Sequence, residues 1–472
     1  MKIAFINPRF PQLKVLHPVK TLMQENRSLT KVKIEKIQEQ LGFDFRSSFL
    51  VEKENPISVA LLSLASFLEK KGYKCNYFQQ SLYSSKRWKK TLKKIAKHYE
   101  VICISSFTFN FPLAVHEIVK PLKRLNKNIL LIGGGYHMSF CDEESISKGF
   151  DIIVRGEGEK TLWEVVKCIE NSKEDKLAKI PNISYKFNNR IRRNKRCLYS
   201  LDLERLPSPA YHLLPRQLRK DPYLCLFTSR GCPYKCKYCA EGNFWQNFRR
   251  KSINKIVEDV SVFLSQCKTR VIFFGDSTFN LDEKYALTIL RVLRKEFPDV
   301  YFAANMRVSL MNSFVVKEFF KNNLRIIFAG IESADPLILK AVKRNETPRS
   351  MLQGIINCSN FPFIVNLSYI VGLPGENKVS INTTKRFIDQ TYKYFTTPNL
   401  FSTVRVFVPY PGTPIFEQPN LFGLKILHKN WEEYHRYTKP VFKLNRFKRI
   451  KIWEAFIDLW KFVLKKEKEQ LQ

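Results

Sequence analysis

The chain has 472 residues, 44% hydrophobic and 26% charged, an ordinary globular composition with room for two or three cores. Lys and Arg number 80 against 43 Asp and Glu, a formal net charge of +37, but the excess is spread along the chain, which speaks for compositional bias and against a nucleic-acid footprint. No apolar run reaches the length of a membrane span, the start is too soon broken for a signal peptide, and eleven cysteines, mostly scattered in apolar runs, argue against a disulfide framework and fit a reducing cytoplasm.

In chain order, residues 2–6 predict a short apolar strand that ends at Asn7 and Pro8. Residues 9–55 are polar and poorly patterned, with helical charge alternation at 29–41; they read as an insertion after the first strand, placed to act as a lid. A helix is expected at 57–71, with Ala60, Leu61, Leu64, Ala65 and Leu68 on one face and Gly72 as its stop. Strand 74–78, a basic helix 86–98, buried strand 101–105 ending at Ser105, helix 113–125 and strand 129–132 follow. That last strand runs into Gly133, Gly134 and Gly135. Strand 151–154 leads into Arg155-Gly156-Glu157-Gly158-Glu159 and a helix to about residue 170. Strands alternating with helices predict a doubly wound parallel sheet, with ligands at the carboxyl ends of its strands. The glycines let backbone approach a ligand, but they make neither a dinucleotide fingerprint nor a phosphate loop.

Residues 176–218 read as a linker. It carries a hairpin at 182–195, turned at Asn188 and Asn189, and a stiff Leu206-Pro207-Ser208-Pro209 joint. Next comes the stretch Ser229-Arg230-Gly231-Cys232-Pro233-Tyr234-Lys235-Cys236-Lys237-Tyr238-Cys239. Three thiols at C-x3-C-x2-C spacing can converge on one soft metal centre. Gly231 and Pro233 suit a tight turn out of a strand. A structural zinc site needs a fourth ligand, usually a second close cysteine pair, and none follows. Three ligands on an iron–sulfur cube leave one iron open to a reaction partner, as in catalytic metal sites generally.

Strand-like runs recur at 224–228, 270–274, 300–304, 325–329, 365–371 and 402–408, with helical runs between them, which predicts a partial (β/α) barrel over 219–418. Polar residues follow these strands in turn: Asp276 and Ser277, Asn305 and Arg307, Glu332 and Ser333, then Gly372-Leu373-Pro374-Gly375-Glu376. The tail, 419–472, is basic and holds Trp431, Trp453 and Trp460, with helical apolar spacing at 452–464. Packing on the core is the favoured reading, and contact with a membrane surface is the alternative.

The cysteine stretch closely resembles the cluster loop of radical S-adenosylmethionine (SAM) enzymes, C-x3-C-x-aromatic-C, with Tyr238 at the aromatic position. The resemblance implies a [4Fe-4S] cluster on Cys232, Cys236 and Cys239 whose open iron binds SAM for reductive cleavage to a 5′-deoxyadenosyl radical. It places Tyr238 near the adenine, Asp276 at the methionyl amino group, Arg307 and Glu332 near the carboxylate and ribose, and Gly372 behind the adenine. Ser277 departs from the family, which often has a second acidic residue there. Residues 1–175 look like the Rossmann-like cobalamin-binding domain that precedes many radical SAM cores. Asn7, Ser105, Gly133, Gly134, Gly135, His137, Gly156 and Glu157 fall at its recurrent positions. The motif D-x-H-x-x-G is missing, which implies cobalamin bound without a histidine ligand, so His137 is not read as one.

The expected activity is cobalamin-dependent methylation of an unactivated carbon, with an electron donor such as flavodoxin or ferredoxin. A cobalamin-containing radical SAM cyclase or rearrangement enzyme is the alternative. A methylthiotransferase, or a basic nucleic-acid or membrane adaptor, fits less well.

Overall fold

The computed structural model describes residues 1–11, 16–41, 57–172, 174–197, 201–220, 225–245 and 247–472. The later part of the expected insertion and the start of the strand expected at 224 lie outside the described residues.

The amino-terminal sheet contains β1 (Lys2–Asn7), β2 (Lys74–Gln79), β3 (Val101–Ser105), β4 (Leu130–Gly134), β5 (Ile152–Val154), β6 (Ile183–Phe187) and β7 (Arg190–Arg193), in the order β2-β1-β3-β4-β5-β6-β7. The first five pair in parallel. Their apolar runs are buried, and residues 3–6 of β1 are fully so, as a sheet covered on both faces by crossover helices requires. Strand order reverses between β1 and β3, which creates a crevice at their carboxyl ends. The hairpin β6–β7 departs from the linker reading. β6 pairs antiparallel with β5, so the hairpin is the sheet's edge and the sheet is mixed. Asn188 and Asn189 take positive φ, 47° and 58°, which turns the chain between two strands separated by two residues.

β8 (Cys225–Leu226) opens the second sheet. β9 (Ser229–Arg230) and β10 (Arg249–Arg250) form a small antiparallel ribbon beside it. β11 (Val271–Phe274), β12 (Tyr301–Met306), β13 (Leu324–Glu332), β14 (Ile364–Val371) and β15 (Leu400–Val406) complete a parallel sheet in which each strand lies beside its successor, from β8 through β11 to β15. Helices join the strands, which makes the expected partial (β/α) barrel.

Two segments are placed differently from expectation. Helix α1 (His17–Leu41) falls in the insertion read as a lid. Its Ile34 and Ile37 pack instead with Val271, Ala303, Ile326, Ile364 and Phe401, at the amino ends of β11 to β15. Lys33, fully buried, donates to the Leu400 carbonyl and sits 4.2 Å over the Phe401 ring. α1 therefore plugs the bottom of the barrel, opposite the end where strand termini carry chemistry. In the tail, the helix Arg449–Glu469 packs on β15 and α1, and Trp431, Trp453 and Trp460 are only 6, 6 and 3% exposed. Its apolar face is used against the core, in line with the favoured reading of the tail. Among the described residues no helix is long and apolar enough to cross a membrane.

Candidate active site

One cleft of about 350 Å³, partly open to solvent, lies where the carboxyl ends of the two sheets face each other. The amino-terminal sheet contributes Asn7, Ser105, Ser106, the Gly133–Gly135 loop and residues 156–159; the barrel side contributes Phe227, residues 229–231, Glu241, Trp245, Gly275 and Ser277. Bare backbone shapes the first wall. A Cβ on Gly133 would stand 2.6 Å from the Met138 sulfur, and one on Gly135, at φ +89°, 2.6 Å from the Ser105 hydroxyl. Among the described residues the buried Ser106 hydroxyl has no hydrogen-bond partner, an unmet polar group that a ligand can satisfy. The Asn7 side chain donates to Gln79 Oε1 at 2.8 Å. The Gly156 N–H donates to the Ser139 hydroxyl at 2.9 Å, which holds that loop open with positive φ. Seven of the eight expected cobalamin positions line this cleft. His137 does not. Its ring is turned the other way, against Phe111 and Trp431 at 4.4 and 5.1 Å, and burial pushes its pKa down to about 3.

The cysteine loop is held from several sides. Gly231 has φ +85°, and a Cβ there would stand 2.3 Å from the Asn247 carbonyl, so only glycine fits. The Lys237 N–H donates to the Val342 carbonyl at 2.9 Å. Cys236 is 8% exposed, and burial raises the Cys232 thiol and pushes Cys239 up to about 12. A bound cation reverses that penalty by ionising its ligand thiols. The three sulfurs are electrostatic neighbours. Yet among the described residues they do not form a group of ligand atoms all within 4.8 Å of one another.

The residues expected around SAM separate into three settings. Asp276 is 1% exposed and accepts from the Thr228 N–H at 3.1 Å, the Thr228 hydroxyl at 2.9 Å and the Ser229 hydroxyl. Burial raises its pKa although these bonds act the other way. Its carboxylate thereby fixes the strand that leads into the cysteine loop.

Tyr238, Glu332 and Arg307 come together through two residues the sequence did not flag, Arg344 and Glu346. Arg344 donates to the Tyr238 hydroxyl at 2.9 Å and pairs with Glu346 at 2.7 Å and Glu332 at 3.9 Å. Arg307 pairs with Glu346 at 2.9 Å and lies 3.8 Å over the ring of Tyr234, inside the cysteine loop. Glu332 follows a bulge in the β13–β14 register and takes φ +64°, a strained setting that re-aims its side chain. Gly372 is occupied elsewhere. It accommodates Ile452 and Phe442 of the tail, which a Cβ would meet at 2.9 and 3.0 Å, and its N–H donates to Glu376. Burial pushes the Glu376 pKa up to about 8.

Two networks join the halves across the cleft. Glu157, expected at cobalamin, is paired with Arg230 and, at 3.0 Å, with Arg249; Glu159 pairs with Arg230 at 2.6 Å. Tyr136 donates to Glu241 and stacks on Phe244 at 4.1 Å, while Ser277 donates to the other Glu241 oxygen at 2.7 Å. The sequence signal for Glu241 was its place two residues after Cys239. Arg230 and Glu159 each lie in a stretch the sequence singled out, but nothing in either signals their pairing.

Comparison with known proteins agrees with this geometry. The Radical SAM superfamily profile matches residues 226–388 and the B12 binding domain profile residues 53–166. A Pyrococcus horikoshii protein described as an uncharacterized methyltransferase is 30% identical over 341 residues, 70% of this chain and 72% of its own. The anaerobic magnesium-protoporphyrin IX monomethyl ester cyclase of Cereibacter sphaeroides is 23% identical over 75% of this chain, which spans 59% of the cyclase's length. The radical SAM methyltransferase TsrM of Kitasatospora setae, solved with cobalamin and a [4Fe-4S] cluster, shares the fold with a TM-score of 0.70 at 15% identity, covering 98% of this chain and 89% of that one. The chain is an enzyme of the radical SAM superfamily with a B12-binding domain, the family of cobalamin-dependent radical SAM methyltransferases, and its cofactors are a [4Fe-4S] cluster, S-adenosylmethionine and cobalamin.

Proposed function

We propose that the enzyme transfers a methyl group from S-adenosylmethionine to an unactivated carbon. The observation that carries the reading is the shared cleft, because one cavity is lined both by the glycine loops of the amino-terminal sheet and by the segment that leads into the cysteine loop. When bound, the cluster and cobalamin supply one-electron chemistry and methyl carriage. The chain's own work is to bind, orient and exclude water.

Cys232, Cys236 and Cys239 would hold the cluster. Gly133, Gly134, Gly135 and Gly156 present bare backbone to the corrin, and the unpartnered Ser106 hydroxyl offers it a hydrogen bond. Asp276 fixes the strand before the cysteines, and Arg344 fixes Tyr238 behind them. Glu332, buried and raised in pKa by that burial, stands at the strand terminus where the methionyl and ribose groups of SAM would lie. Glu157 and Glu159 serve the joint between the halves. An external one-electron donor of the flavodoxin or ferredoxin type completes the requirement.

A second reading is ring formation, favoured by the cyclase relative that matches 75% of the chain. Anaerobic holoenzyme given methyl-labelled S-adenosylmethionine, reductant and a cell extract that supplies the acceptor separates the two. Methyl transfer releases S-adenosylhomocysteine along with 5′-deoxyadenosine. Deoxyadenosine alone, with every methyl group still on sulfur or lost only as methionine, removes methyl transfer and leaves the cyclase.

A further inference from the structure

The structure places a second set of metal-ligating side chains away from the cleft. Among the described residues, a ring nitrogen of His137, the Cys141 sulfur and a Glu144 carboxylate oxygen all lie within 4.8 Å of one another. They come from adjoining short helices, Tyr136–Phe140 and Asp142–Ser147, with Cys141 at the kink between them. Spacings of four and then three residues bring side chains to one face.

Three observations point to a ligand there. His137 is 1% exposed, and its Nε2 is buried with no hydrogen-bond partner. Its Nδ1 lies 3.3 Å from the Thr108 hydroxyl. A proton on Nδ1 directed at Thr108 leaves the Nε2 lone pair free, and a bond from the far nitrogen is how ligating histidines are ordinarily oriented. The Glu144 carboxylate is held in its turn by the indole N–H of Trp431 at 2.9 Å, and the Trp431 ring stands edge-on to the His137 ring at 5.1 Å. Thr108 and Trp431 are thus outer partners of His137 and Glu144, and among the described residues the His137 Nε2 has none. Besides the rings of Phe111 and Trp431, His137 faces a thiol and a carboxylate, polar neighbours that space-filling alone does not require.

We propose that His137, Cys141 and Glu144 bind one zinc-class divalent cation. The set of nitrogen, sulfur and oxygen is typical of zinc, and a fourth position remains for water. The cation would staple the amino-terminal sheet to the tail, since Thr108 and the helices belong to the first and Trp431 to the second. This site does not depend on the methyl-transfer reading.

The test uses the full chain, purified without oxygen, with its cluster and cobalamin loaded, then dialysed against zinc chloride and freed of excess metal. One retained zinc per chain, with an absorption-edge spectrum showing a single sulfur at about 2.3 Å and otherwise nitrogen and oxygen, is the expected result. Zinc is lost in His137→Gln and Cys141→Ala, retained in a Cys232→Ala, Cys236→Ala, Cys239→Ala variant, and bound about tenfold more weakly in Thr108→Val. No zinc above trace overturns the proposal. So does an all-sulfur shell, or zinc that leaves with the cluster cysteines. Should the His137 and Cys141 variants fail to fold, the wild-type spectrum decides by itself.

Discussion

Replacing Arg230 tests whether the two halves are clamped by charge. In the wild type Arg230 is 14% exposed and pairs with Glu157 and Glu159, themselves 8 and 5% exposed. Arg230→Met keeps an apolar stem but removes the guanidinium, whose Cζ lies 5.3 Å from the centroid of the Trp245 ring. Leaving a buried charge unpaired costs about 3–5 kcal/mol. Glu157 keeps Arg249 at 3.0 Å, whereas Glu159 loses its ion-pair partner, so the lower end, about 3 kcal/mol, applies. At about 2–4 °C per kcal/mol for a unit of 150–250 residues, the thermal midpoint falls by about 6–12 °C.

The pH dependence follows from the same pair. Burial would raise the Glu159 pKa, and Arg230 outweighs it, so the net shift is down. The pair's stabilisation is therefore present above the unfolded-state pKa and lost as pH falls through the folded one. In the variant burial acts unopposed by Arg230, so the deficit is largest at neutral pH and shrinks on acidification. Glu159→Gln in the same background restores most of the midpoint. Circular-dichroism melts at neutral and mildly acidic pH check this. A midpoint change under about 2 °C, or an equal loss at both pH values, refutes the clamp.

Three further outcomes are expected. Ile37→Ala lowers stability by about 2–5 kcal/mol through the cavity it leaves under the barrel, while deoxyadenosine formation per folded chain is unchanged; a changed KM for S-adenosylmethionine would restore the lid reading. Glu376→Gln gains stability over the wild type as pH rises from about 5 to 8, because the raised carboxyl is destabilising once it must ionise, and the advantage vanishes below the unfolded-state value; melts across that range show it. Ser106→Ala weakens cobalamin retention by about threefold to tenfold, one lost hydrogen bond, in equilibrium dialysis and leaves iron content alone.

Much of this molecule was legible in its residues. Alternating apolar runs marked both sheets, because a covered parallel strand must be apolar throughout. The cysteine spacing marked the cluster loop, and the glycines at 133–135 and 156 marked the cleft wall, because close backbone approach requires them. What could not be read was destination. The charge alternation at 29–41 marks a helix but does not show that its Ile34 and Ile37 pack under β11 to β15. A hairpin signal pairs β6 with β7 and is silent about β5. Arg230 and Glu159, or Arg307 and Glu346, meet across long sequence gaps with no periodicity to announce them. The positions matched around SAM fall at strand ends, but the bonds of Asp276 to Thr228 and the packing of Gly372 under Phe442 and Ile452 join segments that no local pattern links.

The most direct test of the central claim is the iron, sulfide and corrin content of anaerobically reconstituted protein, compared with the variant lacking Cys232, Cys236 and Cys239. The wild type is expected to hold about four irons per chain with matching sulfide, together with corrin, and the variant to lose the iron while keeping the corrin. Wild-type protein that binds no iron, or whose three cluster thiolates close around a single zinc, would contradict it.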